Sequence, residues 1–585
     1  MSVAPMHQKN ERALVWSLGV LPVVLMLVLG GGMLDVPMND EFSYARLAEA
    51  FGKTGRIQLN GWGTPLMLPQ MVVGAAIIKV LGFKYGILHW VGILSTGVAS
   101  GFLYRFLRAC RAGVGTAITL WAAVMGTPMV LAAGPSFLTD IPTMALCLIS
   151  WTLFAEALRS PGDASLQRKT VLVASLFALL AALNRQNVIL PFGVSMLLIS
   201  GFRPAWRSIL IPAALVIIAA GLLAVALIGK LPYAVPVDPY AGLMTFIGWP
   251  DITIKFMVKF GITAGLLVLP AVLLGHQLRK PSWAVAGLVL AWMLVFIILP
   301  MSARHIEMFG PIFRLTVYGQ YWTTMGAIVG GVHGFGDRSA VPNLGYLWSI
   351  AGIIGNVGSL ALIANQFRGL GAKIKARTQV DVSSILPLSL VVFVAVQCVS
   401  LLPWLALNNM FDRYLLLIVP FLMAAHVTPA DNAPRIHVLR WGAVGIAVCN
   451  VVWGLIATHD YFAYSRARME LFKEAISLGV APENLDAGVE YNADYQIQAE
   501  GKINNRQMEP ASAFDETRIA INVDYEPQKF PAVLAAYRIS SSTFTTWMDG
   551  TLNDKTGKPV ERDYFMIIDG KRKMVIGHVS PSETP

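Results

Sequence analysis

Long stretches without a single charged side chain recur along this chain of 585 residues, at 13–34, 208–229, 281–303, 341–367, 382–411 and 441–458. Each is long enough for a helix to cross roughly 30 Å of hydrocarbon. With the shorter apolar segments between them, the pattern predicts a polytopic bundle of about thirteen transmembrane helices. The two expected within 170–200, around "LNRQNVILP", are short and read as a tilted or partly re-entrant hairpin.

The first polar interval, 35–86, has a different period. Phe42, Leu47, Ala48 and Phe51 share one helical stripe, Arg46 and Glu49 lie away from it, and Gly52 and Gly55 close the segment. This predicts an amphipathic helix on the membrane surface. The next segment, "LMLPQMVVGAAIIKVLGF", is apolar but interrupted by Pro69 and Lys79. It reads as a second surface helix, because counting it as a span would reverse the sidedness of every later loop. From about 461 the chain turns polar. "YSRARMELFKEAISLGV" predicts a helix ended by Gly479 and Pro482, and "RIAINVDY", "AYRISSSTF", "DYFMIID" and "KMVIGHV" predict strands. The expected organisation is a short N-terminal segment at 1–12, a transmembrane domain at 13–458 and a soluble α/β or α+β domain at 459–585.

Composition agrees with a membrane protein: 55% of residues are hydrophobic and 14% charged, against about a quarter charged in soluble domains. The first window follows Lys9 and Arg12 as a signal peptide would, but it is long and lacks a small-residue cleavage site, so it is expected to remain as a span. Cys110, Cys147, Cys398 and Cys449 lie in or beside apolar spans and suggest neither a disulfide framework nor a metal site.

The net charge of +11 does not imply nucleic acid, because the basic residues cluster on alternate loops. With the N-terminus inside, Arg105, Arg108 and Arg111, then Arg159, Arg168 and Lys169, then Arg203 and Arg207, and the later clusters at 279–280, 368–377 and 435–440, all fall on one side. The outer loops are then about 35–86, 133–141, 184–187, 230–255, 302–340 and 407–413, and the C-terminal domain is outside.

Few charges remain on the outer loops, which makes each a candidate. Asp40 and Glu41 open the amphipathic helix, and Asp140 stands where a span leaves the aqueous edge, with Pro142 in its first turn. Helix capping accounts for either position, with Thr139 a rival cap at the second. The outer-face candidates for meeting a phosphate are Arg185 in "LNRQN", Arg304, His305 and Arg314 in "SARHIEMFGPIFRLTVY", and Arg413 in "FDRY". An arginine there either meets a phosphate, binds lipid headgroups or, for Arg413, pairs with its neighbour Asp412. In the C-terminal domain Trp547 and Asp549 flank an expected turn of a kind that sugar-binding sites and ordinary turns share.

A first span, an acidic "DE" opening an outer amphipathic helix, a second apolar surface helix, two spans, and an Asp at the start of the fourth form an order that resembles the integral-membrane glycosyltransferases of GT-C fold. The bacterial branch with the lipid A aminoarabinose transferases, together with the protein O-mannosyltransferases, is the most similar. The resemblance covers residues 13–200 and, in outline, the later spans through "FDRYLLLIVPF".

It implies an inverting glycosyltransferase of the bacterial inner membrane, moving a monosaccharide from a polyprenyl-phosphate donor to an envelope lipid, polysaccharide or protein at the periplasmic face. Asp40 would be the general base or would orient the acceptor hydroxyl. Glu41 and Asp140 would position acceptor or sugar, or hold a divalent metal as some relatives do, although three carboxylates without an outer histidine cluster do not specify one. The outer cations would meet the departing phosphate. Where many relatives carry a lysine before the second surface helix, this chain has Thr64. A transporter or flippase is the alternative, but no internal repeat is visible and the ionisable residues gather at the rim instead of at mid-membrane. A scaffold with a vestigial site is a third reading.

Overall fold

The computed structural model describes residues 5–30, 34–62, 66–159, 164–235, 250–275, 345–375, 382–406, 412–427, 437–517, 527–541, 548–567 and 570–579. Arg304, His305, Arg314, Thr64, Trp547, the window 281–303 and the strand expected at 518–525 lie outside the described residues.

Helices dominate. α1 (Pro5–Leu29), α2 (Glu41–Thr54), α3 (Leu68–Leu81), α4 (Tyr85–Ala109), α5 (Val114–Met125), the single turn α6 (Pro128–Leu131), α7 (Asp140–Arg159), α8 (Ala164–Asn184), α9 (Ile189–Phe202) and α10 (Arg207–Ile228) form the first half. α11 (Pro250–Leu274), α12 (Gly345–Lys375), α13 (Val382–Ala406), α14 (Val419–Val427) and α15 (His437–Ser477) follow. Among the described residues, seven helices are long and apolar enough to cross a membrane: α1, α4, α7, α8, α10, α13 and α15. α8 corrects the expectation of a short hairpin near 170–200. It starts at Ala164 and runs 21 residues, a full span by length, and only α9 is short.

The first loop returns to the level from which it left. Gly86 N at the start of α4 donates to Asp35 Oδ1 just beyond α1, at 3.2 Å. Two ends so close leave no room for a crossing between them, and α3, at 14 residues, is about 21 Å long. It packs on α2, and Gly74 makes the close approach to the 132–139 loop possible, since a Cβ there would stand 2.5 Å from the Phe137 ring. α2 ends as its glycine predicts: Gly55 is left-handed at φ 67° and its N–H caps the Phe51 carbonyl.

The polar face of α2 does not point to water. α15, 41 residues long and so about 60 Å, continues past any membrane thickness into the C-terminal region, where Gly479 ends it with φ 93°. There α16 (Val489–Glu500) lies against α2. Asp494 accepts from Arg46 Nε at 2.7 Å and Nη2 at 3.0 Å, and from the Tyr85 hydroxyl at 2.5 Å.

Backbone bonds interleave the same three regions. Ile503 N donates to Asn60 O at 2.7 Å, Gly61 N to Tyr233 O at 3.0 Å, and Tyr233 N to Glu509 O at 2.7 Å. The first loop, the exit of α10 and the C-terminal region therefore meet at one end of the bundle, as the alternation of basic loops requires. Asp494→Ala should leave the Tyr85 hydroxyl without its acceptor and Arg46 with Glu49 alone, loosening this docking by about 2 kcal/mol. Faster amide hydrogen exchange across 489–505, with the spans unchanged, is the measurement.

The C-terminal sheet joins β1 (Leu485–Asp486), β2 (Tyr537–Ser541), β3 (Met548–Thr551), β4 (Glu561–Met566) and β5 (Gly570–Val579). β5 is central, antiparallel to β2 on one side and to β3 and β4 on the other, while β1 adds to β2 in parallel. The mostly antiparallel pairing decides for α+β over α/β among the described residues. Asp549 sits in β3, and the turn comes later, where Asp554 Oδ1 accepts from Thr556 N and Lys558 N.

Within the bundle, apolar burial cannot drive helix association as it does in water, so packing must. Trp151 of α7, Phe192 of α9, Phe393 of α13 and Phe421 of α14 form a connected aromatic knot. Ring centroids are 5.4 Å apart for Trp151–Phe393, 5.1 Å for Phe192–Phe393 and 5.0 Å for Phe393–Phe421. All four side chains are buried. The knot ties together four helices, one of which begins at Asp140.

Candidate functional site

Asp40 stands at the N-terminus of α2, but its side chain makes no cap hydrogen bond. Its carboxylate turns instead to two donors from elsewhere in the chain: Arg413 Nη2 on Oδ2 and Trp62 Nε1 on Oδ1, the latter at 3.2 Å. Asp140, at the start of α7, is not a cap either. Arg185 Nη1 donates to its Oδ1, and Arg413 Nε lies 3.6 Å from its Oδ2. Thr139 supplies the turn, its carbonyl accepting from Thr143 N at 3.1 Å. The four residues alternate in sign, Asp40, Arg413, Asp140, Arg185, and sum to zero charge.

The local sequence explains how each arrives. α8 ends at Asn184, whose Nδ2 donates to Thr143 Oγ1 on α7 at 2.9 Å. That bond brings Arg185 beside the start of α7. Arg413 lies in the 3-10 segment Asp412–Leu417, where Tyr414 follows it, and the Arg185 guanidinium lies 4.4 Å from the Tyr414 ring centroid. Such stacking suits arginine and not lysine.

Exposure divides the cluster. The Asp140 and Arg413 side chains are 2% and 3% exposed, while Asp40 and Arg185 keep 16% and 13%. Asp40 and Arg185 are thus the open ends, one able to accept a proton and the other to meet an anion. Arg185 bonds Thr139 and Asp140 through Nη1 alone, out of five donors. Tyr44, one turn along α2, faces this charge. Burial, then the Asp40 carboxylate, holds its phenol well above the usual tyrosine range, so it is a hydroxyl at neutral pH.

A divalent metal does not fit between the two aspartates. Arg413 already occupies that position, and among the described residues no group of three or more His, Cys, Asp or Glu stands together.

Glu41 was expected beside Asp40 at the reacting centre, and the structure turns it the other way. It is fully buried. Oε1 accepts from Met38 N at 2.5 Å and lies 2.8 Å from His89 Nε2, and Oε2 accepts from Phe137 N at 2.6 Å. Both oxygens are taken, and the residue joins the start of α2 to α4 and to the 132–139 loop.

Trp62 went unnoticed in the sequence. It bonds Asp40, packs edge-on to Phe42 at 5.1 Å and carries the Lys529 ammonium 5.1 Å from its ring centroid. Its indole is also packed with Ala493, Ile497, Phe530 and Val533 of the C-terminal region. The one local signal was an aromatic between two glycines on an outer loop, "GWG".

The chain is similar to ArnT from Cupriavidus metallidurans. Against its crystal structure bound to undecaprenyl phosphate, identity is 13% over 97% of this chain and 99% of that one, with a TM-score of 0.31. Against the apo state it is 13% over 95% and 97%, with a TM-score of 0.34. No protein-family model and no curated protein matches the chain. The chemistry here rests on this chain's own residues.

Proposed function

We propose that this protein is an inverting glycosyltransferase of GT-C type that moves a monosaccharide from a polyprenyl-phosphate donor to a cell-envelope acceptor at the periplasmic face of the inner membrane. The observation that carries the reading is the Asp40–Arg413–Asp140–Arg185 cluster at one end of the bundle, with a carboxylate and a guanidinium left open. Nucleotide sugars are too polar to cross a membrane unaided, so transfer on the far side calls for a donor already held in lipid. The basic-inside pattern of the loops supports a far-side position for this cluster.

Asp40 takes the proton of the acceptor hydroxyl as its oxygen attacks the anomeric carbon. The bond from that carbon to phosphate oxygen breaks, and its electron pair leaves with the phosphate. One displacement inverts the anomeric configuration. Arg185, with Arg413 behind it, offers the developing phosphate charge a fixed fork of donors. Asp140 holds both guanidinium groups in place, and Glu41 fixes the helix start from which Asp40 projects.

The test uses membranes of cells with and without the protein, supplied with radiolabelled polyprenyl-phosphate sugars and their own acceptors. Protein-dependent movement of label into an envelope fraction is expected. No turnover of any donor would leave the transporter or scaffold ahead. In the same assay Trp62→Phe, which keeps the ring but removes the N–H, should lower kcat about tenfold, the worth of one hydrogen bond to a charged group, with the melting temperature little changed.

A further inference from the structure

The end of the bundle opposite the cluster carries a second feature. α7 fixes the direction: Asp140 is in its first turn and Glu156 near its last, about 24 Å away along the axis. Beside Glu156, α1 and α4 frame a groove of about 970 Å³. Its floor is bare backbone, because Gly19, Gly97 and Gly101 let the two helices touch; a Cβ at Gly97 would stand 3.0 Å from Val23 and 3.1 Å from Gly19 O. The walls are aliphatic from Val15 to Val23 and from Leu94 to Phe102. From Glu11 at the mouth to Val23 at the far end is about 18 Å of helix, close to the depth of one leaflet, about 15 Å.

The mouth is polar and unbalanced. Arg108 donates to Glu11 at 2.6 Å, and Arg105 grips Glu156 through two bonds of 2.7 and 2.8 Å. These pairs use up both acids. Arg12 is exposed at the same mouth and has no acidic partner among the described residues. Tyr104, whose side chain is fully buried and also lines the groove, faces Arg108 of the same mouth. A guanidinium with no acidic partner among the described residues, above an apolar trough one leaflet deep, is what an acyl chain with a phosphodiester headgroup requires. Trp16, one turn from Arg12 and 76% exposed, stands at the rim, where interfacial aromatics sit.

We infer that the groove between α1 and α4 binds an anionic glycerophospholipid of the leaflet facing away from the candidate active site. The charge difference at the mouth is one basic side chain, so enrichment over a zwitterionic lipid should be about fivefold.

The full-length protein would be placed in phosphatidylcholine nanodiscs doped with brominated lipid, and quenching assigned to Trp16 by difference from Trp16→Phe. Brominated phosphatidylglycerol should quench about five times as effectively as brominated phosphatidylcholine at the same mole fraction. Arg12→Gln should remove that preference and leave the melting temperature unchanged, because Arg12 holds no acidic partner among the described residues.

Equal quenching by the two lipids, or a preference that survives Arg12→Gln, would overturn the assignment. So would stronger displacement by undecaprenyl phosphate than by phosphatidylglycerol, which would assign the trough to a polyprenyl chain. None of these readouts depends on sugar transfer, so the glycosyltransferase reading stands or falls separately.

Discussion

Asp40→Asn is expected to cut sugar transfer by about three orders of magnitude while the protein inserts and folds at normal yield. General-base catalysis contributes about 10² to 10⁴-fold, and asparagine removes the proton acceptor while keeping the shape. Its amide oxygen still accepts from Trp62 Nε1, and Asp140 still lies 3.6 Å from Arg413 to balance it. With the amide oxygen on Trp62, the NH₂ group meets Arg413 Nη2, so the structural cost is the loss of one hydrogen bond between charged groups at a 3% exposed arginine, about 2 kcal/mol. The control is Asp140→Asn. At 2% exposure it leaves Arg413 and Arg185 with less compensation, so it should lower the melting temperature more than Asp40→Asn does. Transfer assays on equal amounts of each variant, with unfolding followed in detergent, separate the two effects. Undiminished transfer by Asp40→Asn would remove Asp40 from the chemistry and with it the proposed mechanism.

The largest effect on stability is expected at Glu41. Glu41→Ala leaves the N–H groups of Met38 and Phe137 and the His89 ring without their acceptor in a fully buried site. Breaking such a centre costs about 3–5 kcal/mol, a large share of a typical total stability. Glu41→Gln should not rescue it. Whichever way the amide is turned, its NH₂ group meets a backbone N–H, from Met38 on one side or Phe137 on the other. Both variants should show low yield of folded protein and early melting, whereas a purely catalytic glutamate would leave the melting point unmoved.

The scarcity of charge makes much of this site legible along the chain itself. Asp40, Asp140, Arg185 and Arg413 stand out because an ionisable group at the edge of an apolar span is expensive and must be used for something. Bundle, outer loop and tail follow from hydropathy and from the basic loops, and the glycines at 55 and 479 end helices as expected. Who pairs with whom is not legible in the same way. Asp40 and Arg413 are 373 positions apart, and no local pattern links them. Adjacent in sequence, Asp40 and Glu41 look alike, yet successive residues on a helix point about 100° apart, and that rotation sends one to the open cluster and the other into the core.

Burial also reverses the reading of Arg46, a solvent-face residue by periodicity that in fact meets Asp494. By itself, then, the sequence determined the membrane class, the end of the bundle where the charged cluster gathers, and the residues available to form it. Only the tertiary structure decided their partners, gave Trp62 a place and turned Glu41 away from the Asp40 cluster, because hydrogen bonds and burial join segments whose separation along the chain leaves no periodic trace.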